Sequence, residues 1–394
     1  MKIFMYCQHV LGVGHFFRAL EICRAMKGHD VVLITGGAPV ESILPENVRE
    51  IRLPPLMMDR NFSGIYSHDR DKSVEQAKSE RRDFFYRCFI EERPDILIVE
   101  LYPFGRKAFR FELDPVLKGI CNGTLPPCRV VCSLRDILVE KDDVESYEKR
   151  VIKTLNQYFD ALLVHSDPDF LRLDTTFSRM DEITVPVHYT GFVASMPDRG
   201  KTLSELWPLP AGSDASCQRI IVSVGGGNVG RELLIAVVNT IALINRSEGF
   251  RNRKKIFVKL FSGHFMDDET FSFLKQFESE FVQVSRFTSD FLNLMSLSDL
   301  SISMAGYNTC MNILASGVPA IVWPFDQNRE QRLRATLLSY RHPIKVLSDD
   351  DLAPEKFSVI IQEILDTSNK GRVKINLSGA VNSARLIVLP SIYS

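Results

Sequence analysis

The chain has 394 residues, of which 45% are hydrophobic and 25% charged. That composition excludes a disordered chain and leaves room for two domains with cores of their own. With 48 basic and 49 acidic residues the net charge is −1, so no cationic excess exists to drive binding along a nucleic-acid backbone.

The first predicted strand covers residues 2–6. It soon meets Gln8, His9 and Gly12-Val13-Gly14, which makes it too short for the apolar core of a signal peptide. Further strands are predicted at 30–34, 48–53, 95–99, 129–133, 161–164 and 187–190. Several are apolar along their whole length, as suits strands buried on both faces of a parallel sheet. Between residues 196 and 217 the pattern pauses over Pro197, Gly200, Pro208, Pro210 and Gly212, which reads as a linker. Strands then resume at 219–224, 256–261, 281–285, 300–303, 320–323 and 344–346. Residues 372–389 read as a closing helix with Val373, Leu377, Val381, Ala384 and Val388 on one face.

Strand–helix alternation of this kind predicts doubly wound α/β architecture. The domain reading is 1–195, a linker at 196–217, 218–371, and a terminal helix at 372–394 that either crosses back to the first domain or caps the second. Eight cysteines show no Cys-x-x-Cys pair and no zinc-type spacing with histidine. They read as reduced core thiols. No apolar run approaches about 20 residues, so no membrane span is predicted. The expectation is a cytoplasmic protein.

Three strand-to-helix turns carry candidate chemistry. The first is Gly12-Val13-Gly14-His15-Phe16-Phe17-Arg18. Glycines let the backbone approach a ligand, and the helix start suits an anion. The third glycine of a dinucleotide fingerprint is missing, and so is an acidic ribose partner after the next strand, which disfavours NAD. Two readings of His15 stand level: a neutral imidazole acting as general base, or a capping residue with no chemistry. The second turn, Gly225-Gly226-Gly227-Asn228-Val229-Gly230, reads as a pyrophosphate loop, since packing is a poor reason for three adjacent glycines. The third, Ser303-Met304-Ala305-Gly306-Tyr307-Asn308-Thr309, offers backbone amides to phosphate. The polar run Asp326-Gln327-Asn328-Arg329-Glu330-Gln331 follows a buried strand and has groups suited to sugar hydroxyls.

These residues resemble a known family. Ala305-Gly306-Tyr307-Asn308-Thr309, Ala315-Ser316-Gly317-Val318-Pro319 and Asn328-Arg329-Glu330-Gln331 look like the donor-binding region of GT-B glycosyltransferases, closest to the MurG-like proteins of family 28. Gly12–Arg18, Gly225–Gly230 and Arg286-Phe287-Thr288-Ser289-Asp290 resemble, in order, the family's N-terminal loop, its C-terminal glycine loop and its nucleobase loop. The resemblance implies two Rossmann-like domains facing a central cleft. It also implies that Phe287 and Thr288 contact the base through their backbone. Gly306, Tyr307, Asn308 and Thr309 would cradle the diphosphate with Gly226 and Gly227 nearby. Asp326, Gln327, Glu330 and Gln331 would lie near the sugar, and His15 (after Gly14) near the reacting centre. Where the family commonly has a glutamate for the ribose hydroxyls, this chain has Asn312, a weaker partner than a carboxylate.

The implied activity is inverting transfer from a UDP- or dTDP-sugar to an acceptor hydroxyl, with no metal and no cofactor. Glu100 and Asp136, at predicted strand ends, are alternative bases. Nucleotide-sugar hydrolysis, and nucleotide-sugar binding without catalysis, are the competing readings. The acceptor is a small molecule or a lipid-linked sugar, and the expected state is a monomer or weak dimer. The clusters Leu56-Met57-Met58, Phe84-Phe85-Tyr86 and Phe109-Arg110-Phe111 either meet a membrane surface or face the core.

Overall fold

The all-apolar runs form parallel strands whose side chains are buried on both faces, as Ile3, Phe4, Met5 and Tyr6 show with no exposure at all. In the computed structural model the chain divides into two units, Met1–Ala194 with Ile375–Ser394, and Ser195–Lys374. The structure describes residues 1–9, 13–37, 39–40, 42–58, 64–67, 71–139, 141–198, 200–208, 217–246, 254–325, 329–367 and 374–389.

The first unit runs β1 (Lys2–Tyr6), α1 (Gly14–Ala25), β2 (Asp30–Thr35), β3 (Val48–Arg52), β4 (Leu56–Met58), β5 (Ile65–Ser67), α2 (Val74–Glu92), β6 (Ile96–Glu100), α3 (Arg110–Cys121), β7 (Arg129–Arg135), α4 (Val144–Tyr158), β8 (Ala161–His165) and β9 (Val187–Tyr189). Among the described residues its main sheet has the order β3-β2-β1-β6-β7-β8-β9, every pair parallel. The antiparallel hairpin β4–β5 was not anticipated; each of its strands has three residues, too short for a period to register.

The second unit runs α5 (Leu203–Leu206), β10 (Gln218–Ser223), α6 (Arg231–Arg246), β11 (Ile256–Phe261), α7 (Asp268–Lys275), β12 (Val282–Ser285), α8 (Phe291–Ser296), β13 (Leu300–Met304), α9 (Tyr307–Ser316), β14 (Ala320–Trp323), α10 (Arg329–Ser339), β15 (Ile344–Val346) and α11 (Pro354–Thr367). Its sheet order is β12-β11-β10-β13-β14-β15, again all parallel. In such sheets the strand order reverses between the first and fourth strands, and ligands bind outside the carboxyl ends there. The reversal falls between β1 and β6 in one unit and between β10 and β13 in the other.

Two details differ from the sequence expectation. Part of the 196–217 stretch is structured: α5 leads into Trp207, which is 1% exposed, donates Nε1–H to Leu294 O at 3.2 Å and packs edge-on to Phe257. The last helix, α12 (Gly379–Val388), starts later than predicted. Val193 and Ser378 form a bridge, and Phe192 N–H donates to Asn376 O, so this stretch is held extended. The buried face is then Ser383, Ala384 and Ile387, while Val381 is 57% exposed. This helix lies in the first unit, against α1.

The apolar clusters considered for a membrane surface are mostly core. Leu56, Phe85 and Phe109 are fully buried, and Phe84, Tyr86 and Phe111 pack against the same core. No described helix is long and apolar enough to cross a membrane. All eight cysteines are free, and six are buried.

Candidate active site

In the first unit, β1 delivers α1 and β6 delivers Glu100 to opposite sides of the strand reversal. The N-cap of α1 is Val13, and no side chain caps this helix. The His15 ring instead turns to Glu100, with Nδ1 2.7 Å from Oε1. Arg18, one turn on, donates Nη2–H to the same oxygen and comes within 3.0 Å of His15 Nδ1. His15 is thus not a cap. Glu100 is 1% exposed and His15 23%.

The electrostatics assign the tautomer. Burial alone would raise the Glu100 carboxyl, but the contact with His15 and the guanidiniums of Arg18 and Arg106 overcome it and hold it well below the usual carboxylate range. An ionised Glu100 only accepts, so its 2.7 Å contact puts the proton on Nδ1 and leaves Nε2 a lone pair, and the 3.0 Å approach of Arg18 Nη2 to Nδ1 is then a close contact and not a hydrogen bond. Burial pulls the imidazole itself down to about 3. Glu100 opposes that shift, and Arg106 and Arg18 reinforce it. The ring is therefore neutral at physiological pH. Asp136, beyond the end of β7, is 1% exposed; the ring of His15 is oriented by Glu100.

A second buried network adjoins. Arg81 on α2 grips Glu112 through Nε and Nη2, both at 2.7 Å, and donates to Gln8 Oε1 at 2.7 Å. Tyr6 O–H also donates to Glu112.

In the second unit the site is made of backbone. Register pairs Ser223 on β10 with Ser303 on β13 and with Phe261 on β11, and Phe261 with Ser285 on β12. The four loops that follow these strands therefore sit side by side. Gly225 and Gly227 have φ of +69° and +91°. A Cβ on Gly227 would lie 2.4 Å from Ser262 O, so loop-to-loop packing does require this glycine, contrary to the sequence argument. Gly225 and Gly226 remain open: a Cβ on Gly225 would meet nothing within 4 Å, and one on Gly226 only the Phe265 ring at 3.4 Å. Asn228 is exposed.

Gly306 is the N-cap of α9 with no side-chain cap, and its surroundings are equally open. Ala305 and Tyr307 are buried, while Asn308, Thr309 and Asn312 are half-buried. Asn312 lies four residues after Asn308, on the same helix face. Phe287 is 54% exposed and stacks on His264 with ring centroids 4.7 Å apart. Thr288 Oγ1 accepts from Asp290 N–H. Phe265, 46% exposed, adds another aromatic surface. Neither Phe265 nor His264 was singled out from sequence, although Ser262-Gly263-His264-Phe265 directly follows β11.

The polar run after β14 is partly structural. Gln331 Oε1 accepts from Phe325 N–H at 3.2 Å, and Glu330 is buried 3.7 Å from Arg334. Asp326, Gln327 and Asn328 lie outside the described residues, as does Gly12; Gly14 opens α1. Asp349-Asp350-Asp351 forms a capped turn, with Asp351 bonded to Ser348 and Lys356.

Residues 221–385 match the glycosyltransferase family 28 C-terminal domain. A UDP-glucosyltransferase from Polygonum tinctorium is similar over all of this chain and 98% of its own, at 12% identity and TM-score 0.60. MurG of Acinetobacter baumannii is similar over 98% of this chain and 94% of its own, at 14% identity and TM-score 0.53. The spinosyn rhamnosyltransferase SpnG, complexed with thymidine diphosphate, is similar over 98% and 95%, at 14% identity and TM-score 0.51. Comparison with curated protein sequences finds no match. The fold is GT-B. The match over residues 221–385 is to a glycosyltransferase domain, and it marks the chain as a glycosyltransferase.

Proposed function

We propose that the protein transfers a sugar from a UDP- or dTDP-sugar to an acceptor hydroxyl with inversion, and that the two units divide the work. The observation that carries this reading is the His15–Glu100 pair, held by Arg18 at the strand reversal of the first unit. The acceptor hydroxyl gives its proton to His15 Nε2 as its oxygen bonds the anomeric carbon. The bond from that carbon to the diphosphate oxygen breaks, and the nucleoside diphosphate leaves. Glu100 stabilises the imidazolium that forms.

In the second unit, the open backbone at Gly225, Gly226 and Gly306 suits close approach of a diphosphate, and the start of α9 suits its charge. Phe287 and Thr288 suit the nucleobase, and Asn312 and the 326–331 region the ribose and sugar. The chemistry requires neither metal nor cofactor. Two proteins of similar fold, one a UDP-glucosyltransferase and one complexed with thymidine diphosphate, support the choice of donors.

Calorimetric titration with UDP, dTDP, GDP and ADP tests this. One diphosphate should bind selectively and more weakly to Gly306→Ala, a change the fold has room for since its Cβ would meet only Thr309 Oγ1 at 4.0 Å. Binding of none would sink the donor-site reading. Free sugar released equally with and without acceptor candidates would make the enzyme a hydrolase.

A further inference from the structure

The charged cluster beside His15 has one component that proton transfer does not use. Arg106 follows β6 on a short loop in which both Leu101 and Arg106 adopt left-handed backbone, φ +67° and +56°. Such a conformation is disfavoured for any residue with a side chain. It directs a guanidinium inward, where it is only 13% exposed. Its Nε and Nη2 are buried and make no hydrogen bond among the described residues. Glu100 Oε2, in a side chain 1% exposed, also has no hydrogen-bond partner among the described residues and stands 3.8 Å from Arg106 Nε.

Nε and Nη2 form one edge of the guanidinium fork, the edge that grips a carboxylate or phosphate with two parallel hydrogen bonds. The same unit shows that edge filled: Arg81 holds both oxygens of Glu112 through Nε and Nη2 at 2.7 Å. In Arg106 it is open. The charges agree. Arg81 and Glu112 cancel, but Arg18 and Arg106 face the single carboxylate of Glu100, since His15 is neutral, leaving one positive charge in excess. Arg135, the last residue of β7, and Asp136 after it add one charge of each sign. A buried charge without a partner is costly, and an anion there would relieve it. Gln8, fully buried at the end of β1, holds its Oε1 on Arg81 and has an unused Nε2 donor.

We infer that Arg106 is a specificity residue that binds an oxyanion of the acceptor, a carboxylate or a phosphate, beside the base. This rests on the reading of His15 as the base on the acceptor side. The acceptor is then an anionic molecule whose reacting hydroxyl lies near its acidic group, and Arg106 sets the reach between them.

The test is titration of the full-length protein, labelled with 15N-arginine, with benzoate and separately with inorganic phosphate. The Arg106 Nε–H signal and calorimetric affinity are read together. At least one anion should shift that signal, and Arg106→Gln and Arg106→Lys should weaken its binding about tenfold or more. The lysine variant keeps the charge, guarding against loss of the fold. Arg110→Gln, at an exposed arginine paired with Asp114, should bind as the parent does. A response to benzoate alone indicates a carboxylate acceptor, and one to phosphate alone a phosphorylated acceptor. The inference is overturned if neither anion moves the signal, if affinity is the same in Arg106→Gln, or if only Glu100→Gln moves it. Nucleotide titrations on the same samples separate this failure from failure of the donor reading.

Discussion

The carboxyl edges of the two sheets occupy equivalent places in similar folds but are built from opposite materials. In the first unit the edge is side-chain chemistry: His15, Arg18, Glu100 and Arg106, with Arg81, Glu112 and Gln8 adjoining, almost all buried. In the second it is backbone and aromatic surface: Gly225, Gly226, Gly306, Phe265 and Phe287. Moving a proton needs a titratable group whose partners fix its tautomer and charge. Holding a diphosphate needs amides at close range, which bare backbone supplies. The fold provides the place, and local composition decides which task each edge performs.

The hardest break on the first edge is His15→Ala. Turnover should fall about 10²- to 10⁴-fold, with nucleotide affinity unchanged by calorimetry; equal losses in both would deny His15 its separate role. Glu100→Gln follows. It removes the counter-charge of two buried guanidiniums and should cost about 3–5 kcal/mol in chemical denaturation. Loss of activity without loss of stability would mean that the cluster is not held by charge.

The second edge is sharpened by adjacent glycines. Gly227→Ala places a Cβ 2.4 Å from a carbonyl oxygen at φ +91° and should lower stability by about 2 kcal/mol or more. Gly226→Ala should leave the melting temperature nearly unchanged but weaken nucleotide binding. Identical behaviour of the two would erase the distinction between a packing glycine and a binding one.

The smallest effect concerns His165 at the end of β8. It is fully buried, bonded to Ser133 and Thr190, and held by burial at about 3. The unfolded chain takes up a proton below about pH 6.5 that the folded chain refuses. Stability contributed by this depressed group is therefore present above pH 6.5 and lost as pH falls toward 3, by about 2 kcal/mol at pH 5. His165→Gln should flatten the difference between denaturation curves at pH 7 and pH 5. An unchanged slope would show that His165 does not titrate in that window.

Much was legible before any coordinates. Long apolar β-branched runs fixed the strands of both sheets to within about two residues, because burial on both faces leaves a continuous signal. Glycines after strands marked the turns at Gly225 and Gly306. The three-residue hairpin strands, the true start of α12 and the order inside 196–217 were not legible, because each depends on contacts with residues distant in sequence.

His15 illustrates the limit most sharply. Sequence placed it at a helix start and left base and cap level. Glu100, 85 residues away, turned the ring from capping toward a dyad, through a strand pairing that local periodicity does not encode. Arg106 was one arginine among several in the sequence. Its buried open fork exists only because a left-handed loop and the β1–β6 pairing aim it at Glu100. By itself the sequence determined the alternation of strands and helices, and so the α/β class and the glycine turns, since burial and backbone freedom are local needs. The charges that meet at the sheet edge were decided by tertiary structure alone, since electrostatic partnership depends on distance in space.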